Sequence, residues 1–192
     1  MFQIRIHGRG GQGVVTGAEM LSVAAFIEGR HAQAFPSFGS ERTGAPVVAF
    51  CRIADKEIRL REPVQDPDCV ILQDPTLLKV IDVFSGLKEN GYLLVNTNKS
   101  FDELHLRGVV EKLPEGHAVI VPATDLALKH VKRPAPNAAL LGAFAALTGL
   151  VNFESVTRAI AEAFPGRVGE ANIAAAQEAY DLVRAQESAA TA

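Results

Sequence analysis

The first stretch whose residue types and spacing could do chemistry is "HGRGGQGVV", residues 7–15. Four glycines fall within six residues at the spacing Gly8-x-Gly10-x-x-Gly13. Glycines so placed let backbone N–H groups approach an anion, and a helix N-terminus behind them adds partial positive charge. A dinucleotide pyrophosphate is the ligand this pattern suggests. The same spacing also arises where a strand-to-helix turn packs tightly against another surface, which can belong to another chain. Arg9 and Gln12 would then project from the turn and offer donors to a partner or a shared ligand. The nucleotide reading lacks its confirming residue. A dinucleotide site takes the ribose hydroxyls with an acid at the end of the second strand, and no Asp or Glu occurs between His31 and Ser40. Glu28 precedes that strand and Glu41 lies past it. No Lys-Ser or Lys-Thr follows the glycines, so the loop does not fit a nucleoside triphosphate either.

A second loop, "FPSFGSERTGAPV", carries Ser37, Ser40, Arg42 and Thr43, whose hydroxyl and guanidinium donors suit an anion. Phe35 and Phe38 would be exposed on a simple surface loop, and exposed aromatics beside glycines mark interfaces. The alternative is a plain surface loop with Arg42 paired to Glu41 or solvated. Metal and nucleophile chemistry find little support. There are two cysteines, Cys51 and Cys69, far apart and in apolar runs that read as buried core. That is too few for a zinc site or an iron–sulfur cluster. None of the five histidines, His7, His31, His105, His117 and His130, falls at a metal-like spacing, and His7 reads as structural. Asn137 reads as a helix N-cap. Arg52 faces away from Val47, Ala49 and Cys51, which places it on a sheet face or interface.

The elements that must position these loops follow from periodicity. "FQIRIHG" alternates as a strand, and Val14, Ala18, Leu21 and Ala25 form one helical stripe that stops at Gly29. "HAQAF" is a second strand. "VVAFCRIADKEIRL" predicts two strands in a hairpin turned at Ala54-Asp55-Lys56. "PDCVILQD", "GYLLVNTN" and "HAVIVPAT" are strands buried on both faces, and helices are expected over residues 138–150, 153–164 and 170–186. Strands alternating with helices make an α/β fold, a single open three-layer α/β/α domain over residues 1–186 with a mostly parallel sheet including a hairpin. Residues 187–192 are expected to form a disordered tail. The chain has 192 residues, 48% of them hydrophobic, which suffices for a real core. A net charge of -3 argues against nucleic acid. The longest apolar run, "AALLGAFAALTGLV", has 14 residues, short of the about 20 a membrane helix needs. With no signal-peptide pattern, a soluble, cytoplasmic protein that engages no membrane is expected.

"GRGGQGVVTGAEMLSVAAFIEG" followed by "AQAFPSFGSERTGAPVVAFCRI" resembles the gamma subunit of 2-oxoacid:ferredoxin (acceptor) oxidoreductases, of which pyruvate:ferredoxin oxidoreductase is the best-known. The likeness continues through "PDCVILQD", "GYLLVNTN" and "NAALLGAFAAL". Members usually carry a basic pair in the second loop, where this chain has Arg42-Thr43. The resemblance implies a subunit of an enzyme that oxidatively decarboxylates a 2-oxoacid to an acyl-CoA. Thiamine diphosphate with Mg2+ and [4Fe-4S] clusters would reside on alpha, beta and delta-type partner subunits, and the gamma part would help enclose coenzyme A. Electrons would leave through the complex to ferredoxin, or to NAD through another subunit. On this reading the chain has no catalytic residue, no metal site and no activity alone. Its loop residues Gly8, Arg9, Gly10, Gly11, Gln12, Gly13, Ser37, Ser40, Arg42 and Thr43 would meet coenzyme A or a shared interface. Pyruvate, 2-oxoglutarate, branched-chain and aryl 2-oxoacids such as phenylglyoxylate all remain open as substrates. Two other readings stand beside it: a stand-alone NAD(P)-binding oxidoreductase domain, and a purely structural subunit.

Overall fold

The structure, a computed structural model, describes residues 1–37 and 42–190. Strand β1 (Phe2–Arg9) runs into helix α1 (Val14–Ile27), followed by β2 (His31–Pro36), β3 (Pro46–Ala54), β4 (Cys69–Leu72), a 3-10 helix (Pro75–Lys79) and β5 (Tyr92–Asn96). The short α2 (Arg107–Val110), β6 (Ala118–Val121), α3 (Ala123–His130), α4 (Asn137–Thr148), α5 (Phe153–Ala163) and α6 (Arg167–Ala190) complete the order. The strands form one sheet in the order β2-β3-β1-β4-β5-β6. β1, β4, β5 and β6 are mutually parallel, and β3 is antiparallel to both its neighbours.

Two cores sandwich the right-hand half of this sheet. Ile71 and Leu94 face the helical layer, while Val70, Leu72, Leu93 and Val95 face Leu77, Val83 and Leu106. β4 and β5 are therefore buried on both sides, as their unbroken apolar runs require. In the helical layer α4 is buried along nearly its whole length. Its small residues permit this. A Cβ placed on Gly142 would lie 2.0 Å from the Ala176 backbone oxygen of α6, so only glycine allows the two helices to touch there. The opposite layer is thin and mostly irregular, built from the 3-10 helix, α2 and connecting segments.

The expected hairpin at Ala54-Asp55-Lys56 does not form. β3 lies between β2 and β1, so neither of its edges is free to take the segment "KEIRL", which leaves the sheet instead. The antiparallel pair is made by β2 and β3, with β1 on the other side. The helix expected to end at residue 186 continues to Ala190, into the stretch expected to be a tail. Cys51 and Cys69 are buried, and burial pushes the Cys51 thiol up to about 12 and the Cys69 thiol higher still. Both remain protonated core residues.

The other face of β1 and β3 carries buried polar side chains. Arg5, His7 and Arg52 are all buried. Arg5 donates to the backbone oxygens of Val64, Gln65, Val83 and Ser85, and Arg52 donates to Gln3 Oε1 at 2.9 Å and to the Glu62 backbone oxygen at 2.7 Å. Arg5 Nε also donates to His7 Nε2 at 3.0 Å, so the imidazole is neutral with its proton on Nδ1, an atom without a partner. Burial, aided by the Arg5 charge, lowers the His7 pKa to about 4.

A stability slope follows. The unfolded chain takes up a proton at His7 near pH 6.5 and the folded chain only near 4, so stability is full above 6.5 and falls as the pH drops toward 4. At about 1.4 kcal/mol per unit, the loss approaches about 3 kcal/mol. In His7→Gln the amide oxygen still accepts from Arg5 but binds no proton. Urea unfolding at pH 7.5 and 4.5 is expected to show a smaller stability loss in the variant than in the parent, and equal losses would refute a depressed His7 pKa.

Candidate functional site

The end of β1 is shaped by what its glycines leave out. A Cβ on Gly8 would lie 2.4 Å from Val14 Cγ2, one on Gly10 2.2 Å from the Arg42 backbone oxygen, and one on Gly13 2.6 Å from Asn137 Nδ2. Gly13, with φ 71°, is also the left-handed residue that turns the chain into α1. The spacing that suggested a phosphate cradle is here a three-way packing junction.

The junction brings the two loops together. Gly10 N–H donates to Ala45 O at 2.9 Å, and Gly44 N–H donates to Gly10 O at 3.0 Å. Ala45 N–H closes a turn onto Arg42 O at 3.0 Å. Arg42 and Thr43 are exposed on that turn. Ser37 is half-buried beside β3, its N–H bonded to Val48 O. Ser40, Phe38 and Glu41 lie outside the described residues. Phe35 is not an exposed loop aromatic. It sits on β2, half-buried, with its ring centroid 5.2 Å from that of Phe50 and under the Arg52 guanidinium.

Arg9 and Gln12 do not project as free donors. Arg9 Nη1 donates to Gly44 O at 3.0 Å, while Nε and Nη2 donate to Thr76 Oγ1 at 3.1 and 3.0 Å. Its Nε also lies 3.3 Å from Asp74 Oδ2. Gln12 Oε1 accepts from Arg9 N–H, and Gln12 Nε2 donates to Asp74 Oδ2, both at 2.8 Å. Partial burial pushes the Asp74 carboxyl up, but hydrogen bonds from Thr76 and Gln12 and the Arg9 charge outweigh it, and the group stays below its usual range. Asn137 is the first residue of α4 and not its N-cap. Its Oδ1 does accept from Ala138 N–H at 2.9 Å, satisfying one free donor of the helix start, and its Nδ2 reaches Gly13 O at 3.3 Å.

Beyond this junction a crevice of about 450 Å³ lies over the carboxyl ends of β4, β5 and β6, lined among others by Gln12, Asp74, Thr76, Lys79, Asn96, Lys99 and Thr124. Its Gln12–Asp74 edge lies between β1, whose connection runs toward β2, and β4, whose connection runs the opposite way toward β5, the usual place for ligands in open α/β sheets. Asn96 stiffens its floor, donating to Gln73 O and Thr124 Oγ1 at 2.8 Å. Of these residues the sequence reading singles out Gln12 alone. The available signal was polar residues directly after apolar strands, in "CVILQD" and "LLVNTN". The dinucleotide reading fails on geometry. β3 separates β1 from β2, the Gly10 N–H is already bonded, and the space at the start of α1 is only about 180 Å³. Among the described residues no cluster of three or more His, Cys, Asp or Glu could hold a metal ion. Nor is any described helix long and apolar enough to cross a membrane.

A sequence model of the family described as pyruvate ferredoxin/flavodoxin oxidoreductase matches residues 3–182. The chain belongs to that family. It is 51% identical over 183 residues to the pyruvate/ketoisovalerate oxidoreductases common subunit gamma of Thermococcus kodakarensis, covering 94% of this chain and 96% of that one. It is 51% identical to the pyruvate synthase subunit PorC of Methanosarcina barkeri, over 98% of this chain and 100% of that one. Among solved structures, the pyruvate oxidoreductase subunit PORC of Thermotoga maritima superposes with a TM-score of 0.78 at 41% identity, covering 94% and 95% of the two chains. Part of the 2-oxoglutarate:ferredoxin oxidoreductase of Magnetococcus marinus shares the fold, with a TM-score of 0.70 at 20% identity over 98% of this chain and 31% of that one. The resemblance seen in the two loops is borne out, and the chain is of the gamma-subunit type.

The seam between the loops of this gamma-type chain depends on Gly10. Gly10→Ala forces a methyl group against the Arg42 carbonyl, which is expected to cost about 1–3 kcal/mol of stability and to release the turn. Trypsin cleavage after Arg42 should then be faster than in the parent chain. Unchanged cleavage and an unchanged melting temperature would show that the loops are not joined there.

Proposed function

We propose that this chain serves as the gamma subunit of a multi-subunit, thiamine diphosphate-dependent, iron–sulfur 2-oxoacid:acceptor oxidoreductase, where it packs on alpha, beta and delta-type subunits and helps enclose coenzyme A. The observation that carries the reading is the exposed Arg42–Thr43 turn, held on the β1 junction by Gly10. A guanidinium presented on a short, backbone-anchored turn suits an anionic ligand or a partner's carboxylate. Support comes also from the relatives, named as subunits of pyruvate and ketoisovalerate oxidoreductases, and from the Magnetococcus enzyme, which holds 2-oxoglutarate, coenzyme A and succinyl-CoA and of which one part has this fold. Pyruvate is accordingly the first 2-oxoacid to test.

The donor set of this chain divides the labour. Its two cysteines are buried protonated thiols on neighbouring regions of the core and do not fit a cluster. Thiamine diphosphate, Mg2+ and the [4Fe-4S] clusters then belong to the partners, which supply the decarboxylation and the electron path. What this chain can offer coenzyme A is charge and hydrogen bonds to its phosphates, from Arg42 and Thr43.

The test is Arg42→Ala in the assembled complex. A charge-assisted bond to phosphate contributes about 1.5–3 kcal/mol, so the KM for coenzyme A is expected to rise about ten- to a hundredfold. If Arg42 instead meets a partner carboxylate, the variant complex will dissociate at raised salt with its coenzyme A constant unmoved, and the chain is then a structural subunit. An intact complex with an unchanged constant would remove Arg42 from both roles.

A further inference from the structure

The turn that presents Arg42 has few attachments to the rest of the fold. Across the seam they are the two backbone bonds with Gly10 and the bond from Arg9 Nη1 to Gly44 O. Arg9 is thus the one described side chain seen to tie the turn to the sheet, and its own position is set from elsewhere. Two of its nitrogens donate to the same oxygen, Thr76 Oγ1. That hydroxyl directs its proton to Asp74 Oδ1 at 2.6 Å, and the Thr76 N–H donates to Oδ1 as well, at 2.9 Å. The second carboxylate oxygen accepts from Gln12 at 2.8 Å and lies 3.3 Å from Arg9 Nε.

We propose that Asp74 is a positioning residue for the Arg42 turn, acting through Thr76 and Arg9. Its two oxygens sort the network by direction. Oδ1 orients the Thr76 hydroxyl so that its lone pairs face Arg9. Oδ2 holds Gln12, whose own oxygen fixes the Arg9 backbone. The guanidinium is thereby aimed at Gly44 with one side chain and one backbone anchor, and the β4 end is coupled to a loop that precedes it in the chain. Because Gln12, Asp74 and Thr76 also line the crevice, the network is the mechanical link between the crevice and the turn. An effect of this network on coenzyme A rests on the reading of Arg42 given above, whereas the placement of the turn does not.

The experiment uses the assembled complex with Asp74→Asn, Thr76→Val and Thr76→Ser. Asparagine sets a donor against the Thr76 N–H at the Oδ1 position or against Gln12 and Arg9 at the Oδ2 position, and valine removes the acceptor shared by two Arg9 nitrogens. In both variants the Gly44 amide, bonded to Gly10 O, is expected to exchange its hydrogen about tenfold faster, with a rise in the coenzyme A KM. Thr76→Ser keeps the hydroxyl and should restore both. In an Arg42→Ala background Asp74→Asn should add nothing to the KM. Unchanged Gly44 exchange in both Asp74→Asn and Thr76→Val would overturn the proposal, as would a KM effect that adds in full to that of Arg42→Ala. If Arg42→Ala leaves the KM unmoved, the coenzyme A reading fails, and Gly44 exchange still decides whether Asp74 places the turn.

Discussion

Everything at the functional end of this fold depends on three missing Cβ atoms. At Gly8, Gly10 and Gly13 a methyl group would stand within 2.6 Å of Val14, the Arg42 backbone or Asn137. Without those atoms the β1–α1 turn touches the start of its own helix, the second loop and the start of α4 at once. Such contacts are closer than any side chain could make, and they use the backbone itself as the packing surface. Both the N–H and the carbonyl of Gly10 are taken up by the second loop. The pattern shared with dinucleotide loops therefore records the same steric permission applied to a different neighbour. The turn that the junction supports carries the exposed Arg42 and Thr43.

What the sequence made legible, and what it hid, divides by range of interaction. β4, β5 and α4 could be read because each is an unbroken apolar run, and burial on all sides needs no knowledge of the partner. The stop at Gly29 was local too, and the structure shows Gly29 and Arg30 N–H groups returning to Phe26 and Ala25. The hairpin after β3 failed because a turn signal says nothing about which strand edges are free, and the edges of β3 were already taken by β1 and β2. Arg9 and Gln12 looked like free donors because Thr76 and Asp74, which engage them, lie 67 and 62 residues away. Asp74 itself carried a local sign, an Asp-Pro-Thr after an apolar strand, which is the signature of a capped turn. Its wider role depends on topology and could not be seen.

The face of the sheet opposite the helices shows how irregular chain can be held down without a second helical layer. Arg5 and Arg52 are buried, and the oxygens they reach are mostly backbone carbonyls of connecting segments. A guanidinium has five N–H donors and no acceptor, so one side chain can satisfy several carbonyls that no strand or helix would otherwise pair. Desolvating the charge is costly, and multiple charge-assisted bonds offset it. His7 completes the arrangement as a neutral acceptor, a role that protonation would end.

These features together explain why a chain with so little reactive chemistry has such a defined site. The helical layer is apolar and tightly packed through Gly142, which makes the sheet a rigid base. Two buried arginines fix the segments that lead into β4 and β5 on the opposite face. From that edge the fold extends a crevice with a stiff Asn96–Thr124 floor and a turn whose Arg42 faces outward. Each is open on the side where this chain ends and a neighbour could begin. What the glycines and Arg9 hold against the end of β1 is the backbone of the Arg42 turn.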